Sequence, residues 1–125
     1  MPISFEIDSS QKAVFVTGTG ALTKVAILGY LKELFQDPGF DPTFNHLIDY
    51  TNISEVAINS GDLMELVEST KSSDPREGKI AFVVGDNEGR YFLSNFYTEF
   101  SRLAKGQDMQ SFETIEAAKE WLGLA

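Results

Sequence analysis

"IAFVV", residues 80–84, is an unbroken apolar run closed by Gly85. A strand with one face in water alternates apolar and polar side chains, whereas a strand covered on both faces does not. The run therefore reads as the centre of a parallel sheet, and the chain as α/β. Upstream, Leu63, Leu66 and Val67 mark a helix ending near Lys71, and "KSSDPREGK" (71–79) is a polar loop. Before them, "HLIDY" (46–50) is a short strand, and "TNISEVAINSG" (51–61) is a connection rich in small polar residues.

At the amino end, Ile3, Phe5 and Ile7 alternate with polar residues, "SSQK" (9–12) is a turn, and "AVFVT" (13–17) is a second strand. So short a connection makes the pair a hairpin. Gly18-Thr19-Gly20 is expected to break that strand. Thr23 then caps a helix over about 24–36, with Val25, Leu28, Leu31 and Phe35 on its apolar face and Ile27 and Leu34 widening it. "QDPGFDP" (36–42) ends the helix.

Downstream, "RYFLSNFYTEF" (90–100) belongs to a third helix expected from near Glu88 to Ala104. Met109 to Phe112 is a weak edge strand. Thr114 caps a last helix, with Glu116 in its first turn and Ala118, Trp121 and Leu122 as its buried stripe. The expected order is β-β-α-β-α-β-α-β-α. It describes a mixed, mostly parallel sheet of about five strands with an N-terminal hairpin, four helices and right-handed crossovers, all in one domain, 1–125.

The order and the residues around Ser60 resemble the STAS fold, the domain of sporulation anti-anti-sigma factors and of anion-transporter tails. Carrying the resemblance are the hairpin, "LIDY" (47–50) ending in an acidic residue, the Ser60-Gly61 helix start and "IAFVV". Within that fold, "GALTKVAILGYLKELFQDPGFDPTFNHLIDYTNI" (20–53) is similar to the SpoIIAA-like bacterial proteins of about this length. The resemblance implies a binding module whose switch serine sits where Ser60 lies. It also implies a protein partner of the kinase or anti-sigma type. A lipid-binding relationship to the CRAL-TRIO group has been suggested for that branch. The phosphorylated motif of the family reads Asp-Ser-Ser-Gly-Leu. Here Ile58 and Asp62 stand at its ends, and only Ser60 and Gly61 match.

From the residues themselves, Ser60 is expected to cap the second helix. Asn59 can do the same work, with Asp62 as the acidic group of the first turn. The regulatory reading makes Ser60, Gly61, Asn59 and Asp49 the phosphorylation or partner-contact set. A phosphate on Ser60 would gain from the helix dipole yet stand beside Asp62 and Glu65. The second candidate set is aromatic. Phe92, Phe96 and Phe100 make one helix face, and Tyr91 and Tyr97 exceed it, a surplus that suits an apolar ligand pocket or a homodimer surface. His46, the only histidine, is expected at the surface or a strand edge. "GTGALT" (18–23) is read as a structural strand-to-helix turn. It lacks the third glycine of a dinucleotide fingerprint and any Gly-Lys-Ser/Thr.

Nineteen acidic against ten basic side chains leave a net charge of −9. That field disfavours nucleic acid and anionic membranes. The absence of cysteine removes thiolate catalysis and cysteine-based zinc sites. No cofactor or metal is expected, because no cluster of His, Asp and Glu has ligand spacing. No nucleophile–base pair points to an enzyme. With neither a leader-like amino end nor a membrane span, a cytoplasmic location is the expectation.

Overall fold

A computed structural model describes residues 2–85 and 108–124. The elements are β1 (Ile3–Asp8), β2 (Ala13–Thr23), α1 (Lys24–Gln36), β3 (Asn45–Ala57), α2 (Ser60–Ser73), β4 (Ile80–Val83), β5 (Met109–Phe112) and α3 (Ile115–Leu122). The helix expected over 88–104, with Tyr91, Phe92, Phe96, Tyr97 and Phe100, lies outside the described residues, which hold three helices.

The sheet runs β1-β2-β3-β4-β5. Only β1 and β2 are antiparallel, and β2 to β5 are parallel. The strand alternation sorts the core into two layers. Val14, Val16, Ile48, Tyr50, Ile80 and Phe82 pack with Ile27, Tyr30 and Leu34 of α1 and Leu66 and Val67 of α2. Leu47, Ala81 and Val83 pack on the other face with Ala118 and Leu122 of α3. All four residues of β4 are buried, as a doubly covered strand requires. Trp121 is only half-buried. Its ring lies against Phe112, with centroids 5.5 Å apart, and under Lys79 Nζ at 5.0 Å.

Both β2 and β3 run past their expected ends. Gly18-Thr19-Gly20 does not stop β2; it carries two register shifts, at 17/19 and 20/21. Gly20 takes the left-handed φ of +71° that such an irregularity needs. Gly18 lets the Tyr50 ring close in, since a Cβ there would stand 2.7 Å from it. The segment 18–23 is therefore strand, not turn. Likewise 51–57, read as connection, continues β3 by pairing Asn52 to Ala57 with Thr19 to Thr23. Ile53 is buried under this extension.

Thr23 caps α1 by accepting the Ala26 N–H at 3.1 Å. The buried face of α1 is Ile27, Tyr30 and Leu34, while Leu28, Leu31 and Phe35 are half-buried and Val25 is 76% exposed. The expected face was thus rotated by about one position and its first member was wrong. Apolar residues on several sides of this helix satisfy a 3–4 spacing in more than one way, and the sheet chooses among them. Thr114 caps α3 as expected, accepting the Ala117 N–H at 3.2 Å.

Candidate functional site

In a parallel sheet each helix begins where a strand ends. α1 follows β2 directly, and α2 follows β3 after Ile58 and Asn59, so both helix starts lie at the carboxyl edge of neighbouring strands. That edge is where open α/β sheets present their ligand and partner surfaces. Lys24, the first residue of α1, reaches Glu65 Oε2 at 2.8 Å and Asp62 Oδ1 at 3.8 Å on α2. The hydrogen bond to Glu65, with the two carboxylate charges, raises the Lys24 ammonium above its ordinary range.

Asn59, not Ser60, is the cap of α2. Its side-chain oxygen accepts the Asp62 N–H at 2.8 Å, and Asp62 Oδ2 accepts the Asn59 N–H at 3.2 Å. This reciprocal pair is a capping box. Ser60 is the first residue inside the helix, and both it and Gly61 are exposed. The signal was in the spacing. An acidic residue stands three positions after Asn59, while Leu63 stands three after Ser60. Asp49 is half-buried in β3 on the side of Leu47, turned away from α1 and α2. Its carboxylate accepts the Thr51 N–H at 3.0 Å and the Thr51 hydroxyl at 2.6 Å. Asn59, Ser60 and Gly61 are therefore together, and Asp49 is apart from them. Two exposed apolar side chains join this edge: Val25 beside Lys24, and Met64, one turn after Ser60, at 54% exposure.

The opposite end of the α1–α2 layer holds a feature that the polar reading of 71–79 missed. Arg76 and Asp74 form an ion pair with 2.6 Å between Nη2 and Oδ2, and both side chains are 3% exposed. Arg76 Nε also donates to both Asp74 oxygens at 3.0 Å. The guanidinium lies 5.9 Å from the Phe35 ring centroid, and its charge acts on the buried Tyr30 phenol. Burial raises the Tyr30 hydroxyl above its ordinary range. Above the pair lies a cleft of about 150 Å³ between the helices, lined by Leu28, Leu31, Lys32, Phe35, Ser69, Thr70, Ser73 and Asp74.

His46 is fully buried, which overturns its expected surface position. Its register neighbours are Val14 on β2 and Ile80 on β4, and it shares the face of Ile48 and Tyr50. Among the described residues, neither ring nitrogen finds a hydrogen-bond partner. Burial first, and the Arg76 charge second, push its pKa down to about 3. The alternation with Ile48 and Tyr50 was a readable signal for burial.

No family model and no curated protein matches the chain. A solved structure does. It is an uncharacterised DUF3478-family protein with a SpoIIAA-like fold from Shewanella loihica PV-4, 17% identical. It aligns over 96% of this chain and 93% of its own, with a TM-score of 0.62. The chain has a SpoIIAA-like fold. Among the described residues no helix is long and apolar enough to cross a membrane.

Proposed function

We propose that this chain is a non-enzymatic, cytoplasmic, single-domain regulatory module of the anti-anti-sigma type. It binds a protein partner through the carboxyl edge where α1 and α2 begin. The observation that carries the reading is the pairing of exposed Val25 and Met64 on helix starts that Lys24 ties together, beside exposed Ser60 and Gly61. Isolated exposed apolar residues are ordinary on a surface, but two at helix starts joined by Lys24, in polar surroundings, suit a partner contact. Asn59 already satisfies the cap, so the Ser60 hydroxyl is not committed to holding the helix. It is free to touch a partner or to be modified.

The test is a photo-crosslinking amino acid placed in living cells at Met64 and, as a control, at exposed Glu116 on α3. The expected result is a discrete adduct from position 64 alone, lost when Val25→Glu is added. Equal adducts from both positions, or none, would refute the reading. Incubation with candidate kinases and mapping by intact mass tests phosphorylation of Ser60 separately.

The cleft between α1 and α2 supports a second reading, a carrier of a small apolar or lipid-like ligand. At about 150 Å³ it falls below the roughly 300 Å³ at which drug-sized ligand pockets begin, so the interaction module ranks first. The carrier reading was built on Tyr91, Phe92, Phe96, Tyr97 and Phe100, which also suit a homodimer surface. Native mass spectrometry of protein from cells separates these outcomes by added ligand mass or doubled mass.

A further inference from the structure

We propose that the cleft between α1 and α2 binds a small, neutral aromatic molecule that carries a hydrogen-bond donor, phenol being the simplest of its class. The cleft is that of the carrier reading, on which this rests; its guest now gains a size, a charge and a polar end. Size comes first. A space of about 150 Å³ matches cavities that accept benzene. The α1 wall is apolar: Leu28, Leu31 and Phe35 line it, and each is half-buried. A ring laid against them covers apolar surface that the fold leaves partly in water.

The α2 wall decides the polarity. It supplies Ser69, Thr70 and Ser73. The Thr70 hydroxyl donates to the Leu66 carbonyl at 3.0 Å, and the Ser73 hydroxyl to the Ser69 carbonyl at 2.8 Å. Both protons are spent inside the helix, so these two oxygens offer the cleft lone pairs. Thr70 is 7% exposed, which keeps water from competing for a hydrogen bond made to it. A guest with an O–H or N–H therefore meets acceptors. Charge is disfavoured with either sign. Asp74, the carboxylate of the lining, is held by Arg76 at 2.6 Å and is 3% exposed, so an ammonium finds no free counter-ion. A carboxylate would turn its own lone pairs on the Thr70 and Ser73 oxygens. In exchange it would gain Lys32, an exposed ammonium whose charge water screens. A neutral donor avoids both costs.

Amide chemical shifts of the whole chain, titrated at neutral pH with phenol, toluene, benzylamine and benzoate, read the site directly. Phenol is expected to give saturable shifts grouped at residues 28–35 and 69–74. Toluene should bind about fivefold more weakly, the loss of one hydrogen bond, and the cation and the anion at least as weakly as toluene. Thr70→Val keeps the side-chain volume and removes the oxygen. It should bring phenol to the level of toluene and leave toluene unchanged. Ser73→Ala, at an exposed position, should narrow the margin in the same sense. If Thr70→Val does not fold, the wild-type ranking and Ser73→Ala suffice. Toluene bound as tightly as phenol at the same residues would overturn the proposal while leaving an apolar-ligand carrier standing. An ion bound more tightly than phenol, phenol shifts that scatter or never saturate, or a margin unchanged in both variants would overturn it as well. No shift from either phenol or toluene would remove both the proposal and the cleft as a carrier site.

Discussion

At one end of the α1–α2 layer, Lys24 spans 2.8 Å to Glu65 and 3.8 Å to Asp62, with its side chain 27% exposed and that of Glu65 63%. At the other end, Arg76 holds Asp74 at 2.6 Å with both side chains 3% exposed. Both sites are ion pairs joining or flanking the same two helices, but they answer to different physics. Water screens the first and competes with it, so it orders the surface and adds little stability. The second has lost its water, so removing one member takes the close partner from a charge that is still buried. The exposed end can change residues and partners at little cost to the fold. The buried end cannot.

Asp74→Ala probes that contrast most severely. It should destabilise the protein by about 3–5 kcal/mol in urea unfolding, because Arg76 would keep a buried charge without this partner. Replacing both members together by Leu and Met should cost far less, since no charge would then be buried. A single-site loss no larger than the double loss would erase the distinction between the two ends.

The pH dependence comes next in size. The folded value of His46 lies below the unfolded one, so its contribution is complete above pH 6.5 and is lost as pH falls from 6.5 toward 3. Between pH 7 and 5 this amounts to about 2 kcal/mol, read as the wild-type loss minus the loss in His46→Leu. Equal losses in the two proteins would place the acid sensitivity elsewhere.

Asn59→Ala removes the cap of α2 and should cost about 1 kcal/mol in urea unfolding. Ser60→Ala should leave stability unchanged, which distinguishes the observed cap from the expected one. Lys24→Ala, the smallest effect, should leave the urea midpoint unmoved while altering partner crosslinking from position 64.

Local signals account for what the sequence disclosed. Thr23 and Thr114 stand directly before apolar-periodic runs, the hairpin has a four-residue turn, and residues 80–84 leave no polar face. What failed depended on the neighbours. The glycines at 18 and 20 look like a break until a Tyr50 ring and a register shift are seen to require them. "TNISEVA" (51–57) looks like a loop because only Ile53 of its side chains is buried, the ladder to β2 being made by backbone. Asn59 and Ser60 are both good caps, and the side chain three positions later chooses between them. "SDPRE" (73–77) is polar and reads as surface, because nothing local reveals that Asp74 and Arg76 neutralise each other inside. The candidate site was legible in position, at the start of α2, but not in membership. Asp49 faces the wrong side of the sheet, and Val25 and Met64 gain meaning only when Lys24 draws two helix starts together.

The strand order β1-β2-β3-β4-β5 has a consequence for synthesis. Each strand leaving the ribosome finds its ladder partner already made, beginning with a hairpin that needs only four residues of turn. Among the described strands, none waits for a partner beyond the next strand in the chain, which shortens the time during which parallel edges stand open to other chains. Domains tend to fold from the amino end as they emerge. A chain whose sheet grows in reading order is suited to folding while it is still being made.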